Sequence, residues 1–489
     1  MYGSILYMPP SLRDIPPVLV VDLDDSLIKG DLLIEMSYAL ILQRPWLAPV
    51  LILKAIQGPL ALKQYMAEQI SPRPEDLLFR ESIVEKVRFS RSKGVKTILA
   101  SASPEAWVGK IAEYLQCFDH HAGTISQNLK GKSKLQWIRG HTQESFTYVG
   151  DSKADHAIWE EAHSAIVVNP SSSTRKFLRV LEKARPGFQV QEVIDKKPLW
   201  RVLFKALRPH QWAKNTLLVL PLLAAHQALT LQVLIQVILG LFSFSAIASC
   251  VYLFNDLSDR NSDRAHPSKR KRPIASGDLT IPFALISVVV LLMSGLGVAV
   301  QISTGFLWCI LVYLTLNLAY TYWLKRTPLL DVVVLSGMYT LRMIAGGQAT
   351  VTPISQWLLI FSTFFFTGLA LVKRYTEVST LVQKTDKVNE FGRGYMAQDA
   401  LMLMTLGVAC SLMAVLVVAL YLNSPQGAAL YSYPERLWSL VPLLIYWSGR
   451  IWLLAGRKRV QDDPVSFALK DRISWLVGLI ALGILKYAV

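Results

Sequence analysis

The stretch VVDLDDSLIKGD sets Asp22 and Asp24 two residues apart, with Ser26 two further on, directly after the apolar run VLVV. An apolar run of this length bounded by polar residues predicts a buried strand. Both carboxylates then fall at its carboxyl end, where ligands bind in open α/β sheets. Two further runs behave alike: VKTILASASP ends in Ser101, and FTYVGDSKADHAIW delivers Gly150, Asp151 and Asp155. Between them NLKGKSK offers Lys132 and Lys134. Three strands that bring polar residues to the same edge make one constellation.

A second acidic group lies farther along, in NDLSDRNSDRAHPSKRKRPIASG. Asn255, Asp259 and Asp263 recur at intervals of four, with Asp256 beside them, so a continuing helix would carry the three on one face. Oxygen ligands so placed suit magnesium carrying a diphosphate. Lys269, Arg270, Lys271 and Arg272 would neutralise the remaining phosphate charge. Other cations of note are Lys214, Lys325, Lys373 and Arg374, each also placed where a snorkelling lysine or arginine would sit. Arg342 falls deeper in an apolar run, where an unpaired charge is expensive, so it needs a partner or a ligand. Tyr320 and Tyr322 fit either a site or an aromatic belt.

The elements that carry these groups divide the 489 residues in two. Before about Lys205, charged residues interrupt every apolar run; after it, runs near twenty residues recur, long enough to span a bilayer. Nine spans are expected: about Trp212 to Ala228, Leu231 to Phe254, Ile281 to Gln301, Phe306 to Trp323, Leu329 to Gly346, Gln356 to Val372, Ala400 to Asn423, Leu437 to Ala455 and Ile473 to Val489. Alternate loops are basic. One set holds Arg260, Arg264, Lys269, Arg270, Lys271 and Arg272, then Lys325 and Arg326, then Lys373, Arg374, Lys384, Lys387 and Arg393, then Arg450, Arg457, Lys458, Arg459, Lys470 and Arg472; the other offers only Arg436. This bias predicts basic loops and the first half on the cytoplasmic side of the inner membrane. The start of the chain does not resemble a secretory signal. The net charge of +16 is largely this loop bias, which argues against nucleic acid as partner. Cys117, Cys250, Cys309 and Cys410 have no pairing or metal-ligand spacing.

NDxxDxxxD followed by HPxKxxRPxAsG resembles the first aspartate-rich motif of the UbiA superfamily of intramembrane prenyltransferases, which implies an all-α bundle of nine transmembrane helices. The resemblance runs from about Leu207 to the C-terminus. RPHQWAKN (Arg208 to Asn215), AYTYWLKRTPLLDV (Ala319 to Val332), LRMIAGG (Leu341 to Gly347), ALVKRYTE (Ala370 to Glu377) and DDPVSFALKDR (Asp462 to Arg472) are similar to the decaprenyl-phosphate phosphoribosyltransferases. That branch implies phosphoribosyl pyrophosphate as donor and a polyprenyl phosphate as acceptor. Asn255, Asp256, Asp259 and Asp263 would hold Mg2+, and Lys214, Lys269, Arg272, Tyr320, Lys325, Arg342, Lys373 and Arg374 the phosphorylated substrates. Aromatic prenyltransferases usually carry a later DxxxD pair; here Asp331 is followed four positions on by Leu335.

The order DxDxS, Ser, Lys, GDxxxD resembles the haloacid dehalogenase (HAD) superfamily of magnesium-dependent phosphatases over about Pro17 to Val168, implying a Rossmannoid α/β domain with a helical cap. Carried over, Asp22 is the nucleophile, Asp24 the acid and base, and Ser101 with Lys134 or Lys132 holds the phosphoryl oxygens. Asp22, Asp151, Asp155 and the Asp24 carbonyl bind Mg2+. The domain is expected over 1–184, its cap over about 31–95, a linker and interfacial anchor over 185–205, and the membrane transferase over 206–489. The apolar cap helices would either face the bilayer and admit a lipid-linked substrate or form an ordinary core. Together these expectations describe a phosphoribosyltransferase joined to a phosphatase that removes the 5-phosphate of its product, without nucleic acid and with homo-oligomerisation open. Two alternatives remain: a prenyltransferase using prenyl diphosphate, and a non-catalytic scaffold for polyprenyl phosphates.

Overall fold

The computed structural model describes residues 16–381, 394–460 and 463–488. Lys384, Lys387, Arg393 and Asp462 lie outside them. The chain forms two compact units: Met1–Leu203 with Asp256–Ala284, and Phe204–Asn255 with Leu285–Val489. The segment carrying the aspartate-rich motif from Asp256 onward thus belongs to the first unit, not to the membrane half in which its sequence position places it.

The first unit is built on a six-stranded parallel sheet in the order β3-β2-β1-β4-β5-β6. The strands are β1 (Val18–Val21), β2 (Lys96–Pro104), β3 (His120–Thr124), β4 (Phe146–Gly150), β5 (Ser164–Val168) and β6 (Gln189–Val193). Side chains alternate across a strand, so Leu19 and Val21 join one core with Leu99 and Val149, while Val18 and Val20 join another with Ile98, Phe146 and Tyr148. A sheet buried on both faces explains why β1 reads as an unbroken apolar run. Chain order reverses between β1 and β4, the switch point that leaves a crevice at the carboxyl ends of those two strands.

Between β1 and β2 lie α1 (Leu32–Gln43), α2 (Ala48–Gln57), α3 (Pro59–Gln69) and α4 (Glu81–Ser92). Asp31 starts α1 by accepting from the Ile34 amide at 3.0 Å, as an N-cap aspartate does. All four helices join one core with β1 and β2, through Leu32, Met36 and Leu40 of α1, Leu51 of α2, Met66 of α3, and Ile83, Val84 and Val87 of α4; α4 is the last helix before β2, and α1 to α3 make up the rest of the expected cap over 31–95. The expected linker over 185–205 needs correction. Its first part is β6, paired parallel with β5 from Ser164 and Gln189 to Val168 and Val193. QVQEV is half-exposed and polar at alternate positions, the pattern of an edge strand, and so escaped a search for apolar runs.

The second unit is helical. Among the described residues seven helices are long and apolar enough to cross a membrane: Leu231–Ser258, Ile281–Ile302, Thr304–Tyr322, Leu330–Thr350, Gln356–Ser379, Asp399–Leu422 and Pro434–Gly456. The other two expected spans look different. Residues 209–224 form a 3-10 segment, Pro209–Val219, followed by the short helix Leu220–Ala224, with Pro209 and Pro221 interrupting regular α-helix. The last is Arg472–Ala488, 17 residues. The irregular segment is accepted where helix Leu330–Thr350 has no side chain: a Cβ on Gly346 would lie 1.9 Å from the Leu218 carbonyl oxygen. This approach sets Asn215 beside Arg342.

Candidate functional site

The carboxyl end of β1 leads directly into Asp22, whose backbone amide still pairs with Val149 of β4 at 3.0 Å. The chain then turns sharply, with Asp25 at φ 52, a conformation that aspartate tolerates better than most residues. A cavity of about 200 Å³ opens here, lined among others by Asp22, Asp24, Lys63, Lys134, Asp151 and Asp155. Asp22, Asp151 and Asp155 each offer a carboxylate oxygen within 4.8 Å of the others. Lys134, near the start of the helix Lys132–His141, donates to Asp22 Oδ1 at 2.8 Å and to the Tyr148 hydroxyl at 3.1 Å. Lys132 is exposed and does not line the cavity.

Asp155 orders the loop after β4. Its Oδ1 accepts from the Tyr148 hydroxyl at 2.8 Å, and its Oδ2 accepts from the Asp151 and Ser152 amides at 3.2 and 3.1 Å. This closeness demands Gly150, where a Cβ would stand 2.8 Å from Asp155 Oδ2. Asp24 Oδ1 accepts from the Leu32 amide at 2.8 Å, and its Oδ2 from Ser103 at 2.9 Å and Ser101 at 3.2 Å. Ser101 therefore meets Asp24 within the expected constellation. Ser26 is fully buried, and its hydroxyl finds no partner among the described residues.

Crowding of carboxylates sets the electrostatics. Burial pushes Asp22 up to about 7 against the pull of Lys134, with Asp155 and Asp24 adding to the rise. Asp151 is pushed up to about 8, by burial first and then by Asp155 and Asp22. Burial and the nearby Asp31 also raise Asp24. Lys134 is raised, because the attraction of Asp22 and Asp155 outweighs its burial. A cluster of buried carboxylates that raise one another's pKa is the donor chemistry of a hard divalent ion. Asp22, Asp151 and Asp155 together could hold such an ion, and Asp155 also fixes the loop that carries Asp151.

Sequence reasoning missed two members of this site. Lys63 of α3 is buried, with its ammonium 2.6 Å from the Ala102 carbonyl and 2.7 Å from Asn128 Oδ1; burial lowers its pKa against the pull of Asp24 and Asp31. Its one signal was position, three residues before the buried Met66 on the same helical face. Tyr148 was hidden inside an apolar strand.

The aspartate-rich segment departs from the single-face expectation. The long helix ends at Ser258 and a new one runs Arg260–Ala265, with Asp259 exposed at the junction. Asp256 and Asp263 instead share Arg272, whose Nη1 lies 3.0 Å from Asp256 Oδ1 and 2.6 Å from Asp263 Oδ2. Lys269 is exposed. Within the same unit Glu35 of α1 accepts from Arg260 Nε at 3.2 Å and Arg264 Nη2 at 2.8 Å.

In the helical unit, Asn255 Oδ1 accepts from Thr321 at 3.2 Å. Lys214 donates to Asp463 Oδ2 at 2.9 Å, with Lys373 3.8 Å from the same oxygen. Tyr339 also donates to it, at 3.1 Å. Arg342 is buried with every guanidinium nitrogen engaged, by Asn215 Oδ1 at 3.1 Å, the Met338 carbonyl at 2.7 Å and the Tyr313 hydroxyl at 3.0 Å. Arg374, expected in a loop as a substrate ligand, is fully buried within helix Gln356–Leu381. It pairs with Asp331, with Glu377 Oε2 at 2.6 Å and with the Tyr320 hydroxyl at 2.7 Å. Asp331 also accepts from Tyr395 at 2.5 Å. Arg374 and Tyr320 thus serve Asp331, an internal carboxylate that must be paired at this depth. Lys325 is partly exposed and stands outside this group.

Residues 216–470 match the UbiA prenyltransferase family. The chain belongs to that family. It is 36% identical to an uncharacterized protein, y4nM, of Sinorhizobium fredii over 94% of this chain and 89% of that one. It is 32% identical to the nodulation protein NoeC of Azorhizobium caulinodans over 57% of this chain and 91% of the relative. It is also 32% identical to the decaprenyl-phosphate phosphoribosyltransferase of Mycobacterium tuberculosis over 59% of this chain and 95% of the relative. As a UbiA-family protein with seven candidate spans, the chain is an integral membrane transferase.

Proposed function

We propose that this UbiA-family protein is a bifunctional membrane enzyme that transfers 5-phosphoribosyl from phosphoribosyl pyrophosphate to a polyprenyl phosphate and then removes the 5-phosphate from the lipid-linked product. The similarity to decaprenyl-phosphate phosphoribosyltransferases over nearly their whole length supports the first activity. The Asp22, Asp24, Lys134 and Asp151 cavity carries the second. The aspartate-rich segment and that cavity fall in one compact unit, which supports consecutive action.

In the transfer step the acceptor phosphate oxygen bonds to the ribose C1 as the C1–O bond to pyrophosphate breaks. The acceptor is already anionic, so no general base is required. Asn255, Asp256, Asp259 and Asp263 would hold magnesium with the donor, and Arg272 would turn from its carboxylates to the diphosphate. Leu335 stands four positions after Asp331, so the second aspartate motif is incomplete, which favours this reading over a prenyl diphosphate donor that needs two aspartate motifs. Nine spans are completed by residues 209–224 and Arg472–Ala488. The basic loops and the α/β domain lie on the cytoplasmic side.

In the hydrolytic step, of HAD type, Asp22 attacks phosphorus while the bond to the ribose oxygen breaks, and Asp24 protonates that oxygen. Water then attacks the aspartyl phosphate, Asp24 takes its proton, and phosphate leaves. The raised pKa of Asp24 suits a group that begins as an acid. Lys134 steadies Asp22 and the phosphoryl oxygens. Magnesium, when bound by Asp22 and Asp151, supplies charge neutralisation of the phosphoryl group.

The test is incorporation of ribose-labelled phosphoribosyl pyrophosphate into an extractable polyprenyl lipid by purified protein. The reading expects label in the lipid, lost in Asp259→Asn; label transfer only from a prenyl diphosphate would replace it with the prenyltransferase reading.

A further inference from the structure

The cap carries an apolar ridge that the fold leaves uncovered. On α2, Ile52, Leu53 and Ile56 are 62%, 60% and 77% exposed, and Trp46 in the turn before it is 69% exposed. Residues 52, 53 and 56 share one helical face, while Leu51 points into the core. The adjoining polar groups are basic: Lys54, whose ammonium lies 3.2 Å from Gln57 Oε1, and Arg44, whose Nη1 lies 3.3 Å from Gln69 Oε1. Contiguous apolar surface on a water-facing domain marks an interaction site. At ten residues, about 15 Å, α2 is half the length needed to cross a bilayer, which suits a helix lying in the interface plane.

We propose that the cap docks on the lipid bilayer through Trp46, Ile52, Leu53 and Ile56, and thereby presents the aspartate cavity to lipid-linked phosphate esters. Three observations favour a bilayer over another protein as the occupant. Among its described residues the same chain carries seven helices long and apolar enough to span a membrane, so a bilayer stays within tethered reach at high effective concentration. Basic residues beside an apolar ridge match an anionic headgroup layer. The helix that follows, α3, joined at Gly58, sends Lys63 into the cavity. A cap seated on lipid therefore brings the interface and the cavity wall together on consecutive helices. A headgroup phosphate entering past Lys63 would meet Lys134 and Asp22.

The substrate part of this inference rests on the phosphatase reading; the docking part does not. The test uses the full-length chain in nanodiscs of phosphatidylcholine and phosphatidylglycerol, with nitroxide labels at Ile52→Cys, Ile56→Cys and, as a control, the exposed Glu68→Cys, read against labelled parent protein. Docking predicts that the first two labels are reached by oxygen and shielded from a water-soluble nickel complex, with Glu68→Cys the reverse. Nickel access equal at all three positions overturns it. So does shielding that persists in detergent and grows with protein concentration, the mark of a second copy. In vesicles, Ile52→Ser/Ile56→Ser should lower turnover of the lipid-linked ribose phosphate about tenfold or more while p-nitrophenyl phosphate turnover is unchanged. Equal turnover of the lipid by variant and parent, or equal losses on both substrates, overturns the presentation role. Absence of p-nitrophenyl phosphate turnover in the parent protein would instead remove the phosphatase reading, with the label depths still deciding docking.

Discussion

The ammonium of Lys134 donates to Asp22 Oδ1 across 2.8 Å, with both side chains buried. One cation thus pulls the nucleophile of the proposed hydrolysis toward its ionised form, against the stronger upward push of burial and two neighbouring carboxylates. Lys134→Met should lower phosphatase kcat about 10²-fold or more. It should also move the ascending limb of the pH profile upward, because the pull that lowers Asp22 is gone. Ribose transfer, measured in the same preparation, should be unchanged.

The raised carboxylates set a linkage between pH, magnesium and stability. Folded Asp22 and Asp151 keep their protons to about 7 and about 8, whereas the ordinary aspartate value is 3.8. Between those values the folded state binds more protons than the unfolded one, so this contribution to stability falls as pH rises from 3.8 to about 8, then levels. Magnesium competes with those protons, so its stabilising effect should grow over the same window. Hydrogen exchange of peptides containing β1 and β4 should show at least about twice the magnesium protection near pH 8 that it shows near pH 6.

Arg374 and Asp331 make a fully buried pair in the helical unit. Arg374→Met leaves an uncompensated carboxylate and should cost about 3–5 kcal/mol of stability. Asp331→Asn/Arg374→Met should recover a large part of that loss. Lys325→Ala, at a partly exposed position, should change the unfolding temperature in detergent little. Equal effects from all three would contradict the assignment of Arg374 as an internal counter-ion.

Arg272 bridges Asp256 and Asp263. If it exchanges these carboxylates for the donor's diphosphate, Arg272→Gln should raise the KM for phosphoribosyl pyrophosphate about tenfold or more. Magnesium should bind the substrate-free variant more tightly, since a competing cation has been removed. A loss in kcat with KM unchanged would place Arg272 outside the donor site.

The central strands and their acidic edge were legible because β1 and β4 are short apolar runs that end directly before a carboxylate: Asp22 after β1 and Asp151 after β4 follow from local pattern alone. Ser101 near the end of β2 was legible in the same way. Lys63 was not, since its place depends on how the cap folds back over the sheet. The polar edge strand β6 carries no apolar run to detect. The expected single acidic face failed because the helix breaks at Asp259, which spacing by fours does not reveal. Arg342 was read as a charge needing a partner, and it has three: the Met338 carbonyl lies one turn back on its own helix, while Asn215 and Tyr313 come from segments that only packing brings beside it. Arg374 read as a loop cation because its pairing with Asp331 spans 43 positions.

The most direct measurement supplies the purified full chain with magnesium, a polyprenyl phosphate and phosphoribosyl pyrophosphate labelled separately in the ribose and in the 5-phosphate. Consecutive transfer and hydrolysis predict ribose label in the lipid with the 5-phosphate label released, and retention of both labels in Asp22→Asn. Both labels retained in the lipid by the parent protein would contradict the account.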